Sequence, residues 1–499
     1  MTIKKLHTLI LPLALILLAA QAHAASVQLS GQVTLADLAP EGELTNAADS
    51  VPDSVVVGGA MITVTDSRGV SVTTYSAANG AWELKQDSLQ PPLTLRARAG
   101  AAYADTTLNI EPGAQSSIIL QLEKLTDPKA ISARLTASAH ASAVDWQDAD
   151  TKQDFISQCH FCHQIGNAST RVEKTEEQWR GTLERMQGYG AMLTWQNEDD
   201  FAKTLSANFN GEPVPAVRTL EMHDGLPGSV MREWSFGGPI NYVHDIEISK
   251  EDGLIYGVDM SADKIWILDR TTNEIEDVQW PANDLPLGGM FAGAVALSNQ
   301  VGRLDPETRE FTIIDLPSNG AWRWVADAML PTILKAASWF GKEDMHVALS
   351  HHKITGEGRD VLNLPYGIDV NPIDGMIWYS KLYAGRIGKI DPKTLEVTEF
   401  ETPYPAPRRL RFAKDGTLWI PSFESGVLMK FDPATEIFTE SYELPVLAKG
   451  EYETPYAVAV EPDTQHVWIA ANMSDRILRF DPVAETFQAY PSPQLILGT

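Results

Sequence analysis

The stretch PYGIDVNPIDGMIWYSKLYAGRIGKIDPKTLEVTEFETP, residues 365–403, reads as four short strands in succession. Asp374-Gly375 is a hairpin signal between the first two, and Asp391-Pro392 opens a tight turn between the last two. The reading is a four-stranded antiparallel unit that ends near Pro403.

The same unit returns along the chain. Its second half reappears as IWILDRTTNEIEDVQWP (265–281), VGRLDPETREFTIIDLP (301–317), VLMKFDPATEIFTESYELP (427–445) and ILRFDPVAETFQAYPSP (477–493). Its first half reappears as HDIEISKEDGLIYGVD, RRLRFAKDGTLWIPS and PYAVAVEPDTQHVWIAA. Repeats of this kind are the blades of a β-propeller. The interval from Asp305 to Asp391 is about twice that from Asp391 to Asp432, so a degenerate blade and a short inserted helix fill it. VMREWSFGG (230–238) is expected to supply an outer strand that closes the ring against the last blade. The count is six blades, with seven as the alternative, over residues 217–495.

These repeats resemble the streptogramin lyase (virginiamycin B lyase) family, with its P-x-G-I, D-G-x-x-W and I-G-R-x-D-P signatures. That resemblance implies a metal, histidines at the entrance of inner strands and an acidic residue after the tryptophan. At the inner-strand entrances stand His244, Tyr366, Arg409 and Tyr456, and after the tryptophans stand Lys381, Ser422 and Ala471. Metal-assisted elimination needs a ligand set and a base. The resemblance is therefore carried to the fold and not to the reaction. His244, Tyr366, Lys381, Arg409 and Tyr456 remain candidates for a ligand mouth, and the local basic cluster of Lys381, Arg386, Arg408, Arg409 and Arg411 suits an anionic ligand or acidic partner.

Both cysteines of the 499-residue chain fall in DFISQCHFCHQIGNAST, residues 154–170. Cys159-His160-Phe161-Cys162-His163 is C-x-x-C-H, the c-type haem attachment pattern, in which two thiols bond the porphyrin and the adjacent imidazole binds the iron. A dithiol redox pair needs a βαβ setting, whereas this segment is helix-like. Cys159 and Cys162 are thus the covalent haem residues and His163 the proximal iron ligand. His160, between the cysteines, is expected to face solvent.

Residues 175–209 then read TEEQWRGTLERMQGYGAMLTWQNEDDFAKTLSANF. Thr175 to Gln178 form a capping box, and Trp179, Leu183 and Met186 recur on one helical face until Gly188 and Gly190 end it. Spacing alone leaves Met186 and Met192 open as the distal iron ligand. The run Trp179, Arg185-Met186, Tyr189-Gly190-Ala191 resembles small single-haem bacterial cytochromes c, and that resemblance implies Met186. It covers residues 148–212.

Residues 27–124 carry short alternating strands broken by Gly, Pro, Asn and Asp turns, a β-sandwich rhythm. Gly59-Ala60 before MITV, and Asn79-Gly80 before Trp82, resemble the carboxypeptidase regulatory-like domain. Residues 125–147 read as a connector. At the start, Lys4 and Lys5, an apolar run from Leu9 to Ala20 and Ala22-His23-Ala24 form a secretory signal over 1–24. No later segment approaches the roughly 20 apolar residues of a spanning helix.

With 39 basic against 66 acidic residues and a net charge of −27, the chain is a poor partner for nucleic acid. The fold class is mainly β: a sandwich, a small α-helical cytochrome domain and a propeller. The expected function is that of a periplasmic mono-haem c cytochrome, exchanging electrons with a partner protein or a small-molecule donor while the propeller binds partner or substrate. A haem-linked oxidoreductase with its substrate in the propeller funnel is the first alternative, and a streptogramin-lyase-like C–O lyase the second.

Overall fold

The computed structural model describes residues 25–35, 56–110, 117–188, 191–279, 294–295, 299–304, 311–337 and 362–494, apart from 217, 239–240, 242, 250–251 and 260–263. The signal segment, and the part of the degenerate repeat at 338–361, lie outside the described residues.

Seven strands open the fold: β1 (Ala25–Leu35), β2 (Met61–Thr65), β3 (Ser71–Tyr75), β4 (Ala81–Leu89), β5 (Leu93–Arg98), β6 (Thr106–Ile110) and β7 (Ile118–Leu122). In β5 the residues Leu93, Leu95 and Ala97 are buried and alternate with half-buried neighbours. One sheet runs β4-β1-β7, and the other holds β6-β5-β2-β3. They share one apolar core that includes Leu29, Val33, Ile62, Val72, Trp82, Leu95 and Leu120. Gly80 takes a positive φ of 75° in the Asn79-Gly80 turn, where Asn79 Oδ1 accepts from the amide of Ala81.

A short strand, β8 (Met231–Glu233), is the fifth member of the second sheet, paired antiparallel with β3. This corrects the expectation that residues 230–238 close the propeller. The last blade already has four strands from its own repeat, while β3 offers a free edge.

Residues 125–147 are more than a connector. They form α1 (Pro128–Ala133) and α2 (Ala137–Ser142), and α2 buries five of its six residues. Among these is His140, whose Nε2 bonds the Ser132 carbonyl at 2.8 Å. Burial lowers its pKa from 6.5 to about 4, against the pull of the Ser132 carbonyl and helped by Arg171 and Arg218. The folded state then binds fewer protons than the unfolded chain, so this stability is present above pH 6.5 and is lost as pH falls toward 4. Urea titrations at pH 7 and 4.5 should show a loss that is about 2–3 kcal/mol larger in the native protein than in His140→Asn.

Three helices follow: α3 (Ala149–Cys159), α4 (Glu176–Gly188) and α5 (Trp195–Asn208). The capping box expected at Thr175 is formed: the Thr175 amide donates to Gln178 Oε1 (2.9 Å) and the Gln178 amide to Thr175 Oγ1 (3.3 Å). Phe155, Trp179, Leu183, Phe201 and Leu205 make the core of this unit.

The remainder is a series of antiparallel sheets. The first is β9 (Val243–Ile248), β10 (Ile255–Asp259), β11 (Lys264–Asp269) and β12 (Glu274–Gln279). The second has three described strands, β13 (Ala294–Val295), β14 (Gln300–Leu304) and β15 (Phe311–Asp315), followed by the inserted helix α6 (Ala321–Ala337). The third is β16 (Pro365–Val370), β17 (Ile377–Lys381), β18 (Arg386–Ile390) and β19 (Val397–Glu401). The fourth is β20 (Arg411–Phe412), β21 (Leu418–Ser422), β22 (Val427–Asp432) and β23 (Ile437–Glu443). The fifth is β24 (Pro455–Val460), β25 (Val467–Ala471), β26 (Arg476–Asp481) and β27 (Thr486–Pro491). Strand order in each follows chain order, as in a propeller blade, and the described residues hold five such sheets without defining a closed ring.

The turn aspartates explain themselves in the repeat. Asp269, Asp391, Asp432 and Asp481 each accept from the amide two residues on. The residue four positions on (Asn273, Leu395, Glu436, Glu485) then takes a positive φ and starts the next strand. The tryptophans after the hairpin turns pack between sheets: Trp378 meets Phe400 and Phe431, and Trp419 meets Phe480. First strands of neighbouring sheets lie side by side, β16 by β20 and β20 by β24, which gathers their N-terminal ends at one mouth. The sandwich docks on the fifth sheet, where the Tyr75 hydroxyl donates to the Pro491 carbonyl (2.6 Å).

Candidate functional site

α3 starts at Asp148, whose carboxylate accepts from the Thr151 amide (2.7 Å), and it runs until Cys159. The chain then turns sharply through His160 to His163. Cys159 is half-buried against the helical core, and Cys162 reaches the surface. Burial pushes the Cys159 thiol far above its ordinary range. The Cys162 thiol is also raised by the surrounding protein, with the Arg408 guanidinium pulling the other way.

His163 is half-buried, and its Nδ1 meets the Gln164 carbonyl at 3.1 Å. A carbonyl can only accept, so Nδ1 carries the proton and Nε2 keeps its lone pair for a metal. Gln164 is anchored in turn, donating to the Asn472 carbonyl and Asp475 Oδ1, both at 2.9 Å. Met186 and Met192 are both half-buried. Met186 stands on α4 and its carbonyl accepts from the Ala191 amide (2.9 Å), while the Met192 amide donates to Gln158 Oε1 (3.0 Å) at the end of α3. Two thiols, one imidazole with a free Nε2 and a thioether on adjoining helices form a donor set of the kind that can hold a haem.

His160 does not face solvent: it is 0% exposed. Its Nδ1 accepts from the Ile165 amide (3.2 Å), so Nε2 carries the proton and donates to the Tyr452 hydroxyl (2.8 Å). The expectation treated the turn as an outer surface, whereas the turn is pressed onto the first-strand ends of the sheet series. Gln153 to Glu424 (2.9 Å) and Gln158 to Tyr383 (3.4 Å) tie α3 to the same face.

Phe161, the residue between His160 and Cys162, enters a cluster of Leu364, Leu382, Ala406, Phe423 and Tyr456 with the half-buried Tyr366 and Tyr383. Tyr366 in β16, Arg408 and Arg409 just before β20, and Tyr456 in β24 come from equivalent places in three successive sheets. The Tyr366 and Tyr456 hydroxyls bond each other at 2.8 Å, and the Arg409 guanidinium lies 5.8 and 5.2 Å from their rings. Three of the five candidate mouth residues are thus together. Lys381 is not with them: it is wholly buried, pairs with Glu399 at 2.6 Å, and donates to Asn319 Oδ1 (3.0 Å) and the Pro317 carbonyl. His244 lies in β9, and its side chain is outside the described residues.

Sequence reasoning chose Arg409 for the mouth, but Arg408 is the residue that reaches the C-x-x-C-H turn. Its Nη2 donates to the Phe161 carbonyl at 2.7 Å, and its guanidinium lies 3.9 Å from the Phe423 and Tyr456 ring centres. Adjacent residues of a strand face opposite ways, so strand alternation was the signal that one of the two arginines points inward. Among the described residues no three His, Cys, Asp or Glu side chains gather as a metal-ligand group, and no helix is long and apolar enough to cross a membrane.

No family model matches the chain, and no curated protein matches it. Its neighbours among solved structures are streptogramin B lyase-like β-propellers, matched over part of the chain at low identity. A streptogramin B lyase shares 20% identity over 52% of this chain and 72% of its own, with a TM-score of 0.34. Virginiamycin B lyase from Staphylococcus aureus shares 15% over 51% and 71%, with a TM-score of 0.33. Kuenenia stuttgartiensis hydrazine synthase shares 19% over 29% and 40%, with a TM-score of 0.25.

Proposed function

We propose that this chain is an exported mono-haem c-type cytochrome that transfers electrons in the periplasm, with a six-bladed propeller as the module that receives its partner or substrate. The observation that carries the reading is that Phe161, inside the Cys159–His163 turn, is seated in the mouth built by Tyr366, Arg408 and Tyr456. A haem held there supplies one-electron chemistry. Cys159 and Cys162 hold it, His163 Nε2 binds its iron, and Met186, or Met192 in its place, completes the ligand pair. The sandwich, on this reading a carboxypeptidase regulatory-like module, supports the last blade.

The seam also favours the oxidoreductase alternative, because a substrate at the mouth would stand next to the cysteine turn. Adding candidate donors one at a time distinguishes the two: reduction by one small compound alone marks an oxidoreductase, and reduction only by a protein partner marks a carrier.

The primary test is the visible spectrum of protein matured in a host that makes c-type cytochromes, before and after dithionite, with a haem stain on a denaturing gel. A stained band with sharp reduced α and β peaks supports the proposal, and a colourless, unstained protein overturns it. Met186→Ala should then remove the sulfur-to-iron charge-transfer band of the ferric protein. Loss of that band in Met192→Ala, with Met186→Ala unchanged, would reassign the distal ligand.

A further inference from the structure

Arg408 is 0% exposed. Its Nε and Nη1 have no hydrogen-bond partner among the described residues, and none of the ion pairs among them involves it. A buried cation with no ion-pair partner among the described residues is costly, and four aromatic rings enclose this one. Phe423 and Tyr456 lie at 3.9 Å, Phe161 at 4.9 Å and Tyr366 at 5.0 Å from the guanidinium. Ring faces offset part of the desolvation but carry no net charge. The one hydrogen bond it makes beyond its own sheet series goes to the Phe161 carbonyl, between the two cysteines.

We infer that Arg408 is the residue through which the propeller sets the redox potential of the cytochrome domain. The inference rests on the haem reading of Cys159, Cys162 and His163, and it assigns Arg408 a positioning and electrostatic role rather than contact with a substrate. A fixed positive charge in a low-dielectric seam favours the state of its neighbour that carries one more electron. The reduced form gains that attraction, the oxidised form loses it, and the midpoint potential rises. Because the guanidinium is enclosed, salt in the solvent screens the effect little, unlike that of a surface charge. The charge belongs to one domain and the redox group to the other, so the potential reports whether the seam is closed.

The test is a spectroelectrochemical titration of the full-length, haem-stained protein with dithionite as the electron donor, at low and high salt. Arg408→Met, which keeps the length of the side chain, should shift the midpoint to lower potential, with a severalfold smaller reduced fraction at a fixed poise. Arg408→Lys should recover much of the shift, and the native value should change little with salt. Phe423→Leu, which loosens the cage but keeps the charge, should leave the midpoint near native. Equal midpoints in native and Arg408→Met proteins of matching circular dichroism would overturn the inference. So would a shift in Arg408→Lys as large as that in Arg408→Met, since packing and not charge would then be responsible. A protein that never stains for haem overturns the inference together with the reading beneath it, whereas a stained protein with an unmoved midpoint overturns the inference alone.

Discussion

If the proposed haem reading holds, His163→Ala should leave a folded chain that lacks the sharp paired α and β bands expected of the reduced native protein. The two parts of this expectation have separate physical sources. In the fold, His163 is half-buried and makes one hydrogen bond, to the carbonyl of the next residue, so its removal costs roughly 1 kcal/mol or less. At the site, it is the one imidazole of the turn with an unprotonated nitrogen available, because His160 Nε2 is engaged with Tyr452 and its Nδ1 with a backbone amide. His160 therefore cannot substitute without breaking both of its bonds. Circular dichroism of the variant should match that of the native protein while its visible spectrum does not. A variant with native bands would show that another residue binds the iron.

Gly367→Val should destabilise the propeller by at least about 3 kcal/mol, at the upper end of what overpacking costs. A Cβ at Gly367 would lie 2.7 Å from the Arg408 carbonyl oxygen, 2.8 Å from Arg409 Cα and 3.0 Å from the Leu410 amide nitrogen. All three are backbone atoms of the neighbouring inner strand, so no rotamer change relieves the clash. The same approach carries a relay across the sheets: the Gly367 amide donates to Ser380 Oγ (2.9 Å), and that hydroxyl donates to the Arg408 carbonyl (2.5 Å). Forcing the strands apart breaks the relay and moves Arg408 from the cysteine turn. Thermal unfolding should show the loss, and amide exchange should show earlier opening along residues 407–412. An unchanged melting profile would mean that the neighbouring strands yield without cost.

These two sites show how much was legible in the sequence. Asp-Gly hairpins and Asp-Pro turns are local signals, and they located the strands of the five described sheets apart from β13. The C-x-x-C-H spacing is local as well. Partnership across the chain left no such trace. Residues 230–238 read as a strand, but which edge they would join depended on which sheet had a vacancy, and β3 did. His160 read as solvent-facing because nothing near it in sequence announces Tyr452, and Arg408, not its neighbour Arg409, reaches the cysteine turn because adjacent residues of an extended chain face opposite ways. Lys381 shows the reverse: a basic residue in a promising place whose charge is answered by Glu399 within its own sheet.

The anchoring of Gln164 to Asn472 and Asp475 has a consequence for the order in which the molecule is assembled. The cysteine turn is made more than halfway toward the start of the chain from the blade that finally covers it, and synthesis runs from the N-terminus. Until Arg408, Tyr452 and Asp475 have emerged, His160 and Phe161 have nowhere to go. Cys159, half-buried in the finished fold, is therefore more open to solvent early, and chemistry at it has a natural interval before the last blade arrives. Closure of that blade then works as a clasp, and a chain truncated before residue 452 should keep Cys159 reactive.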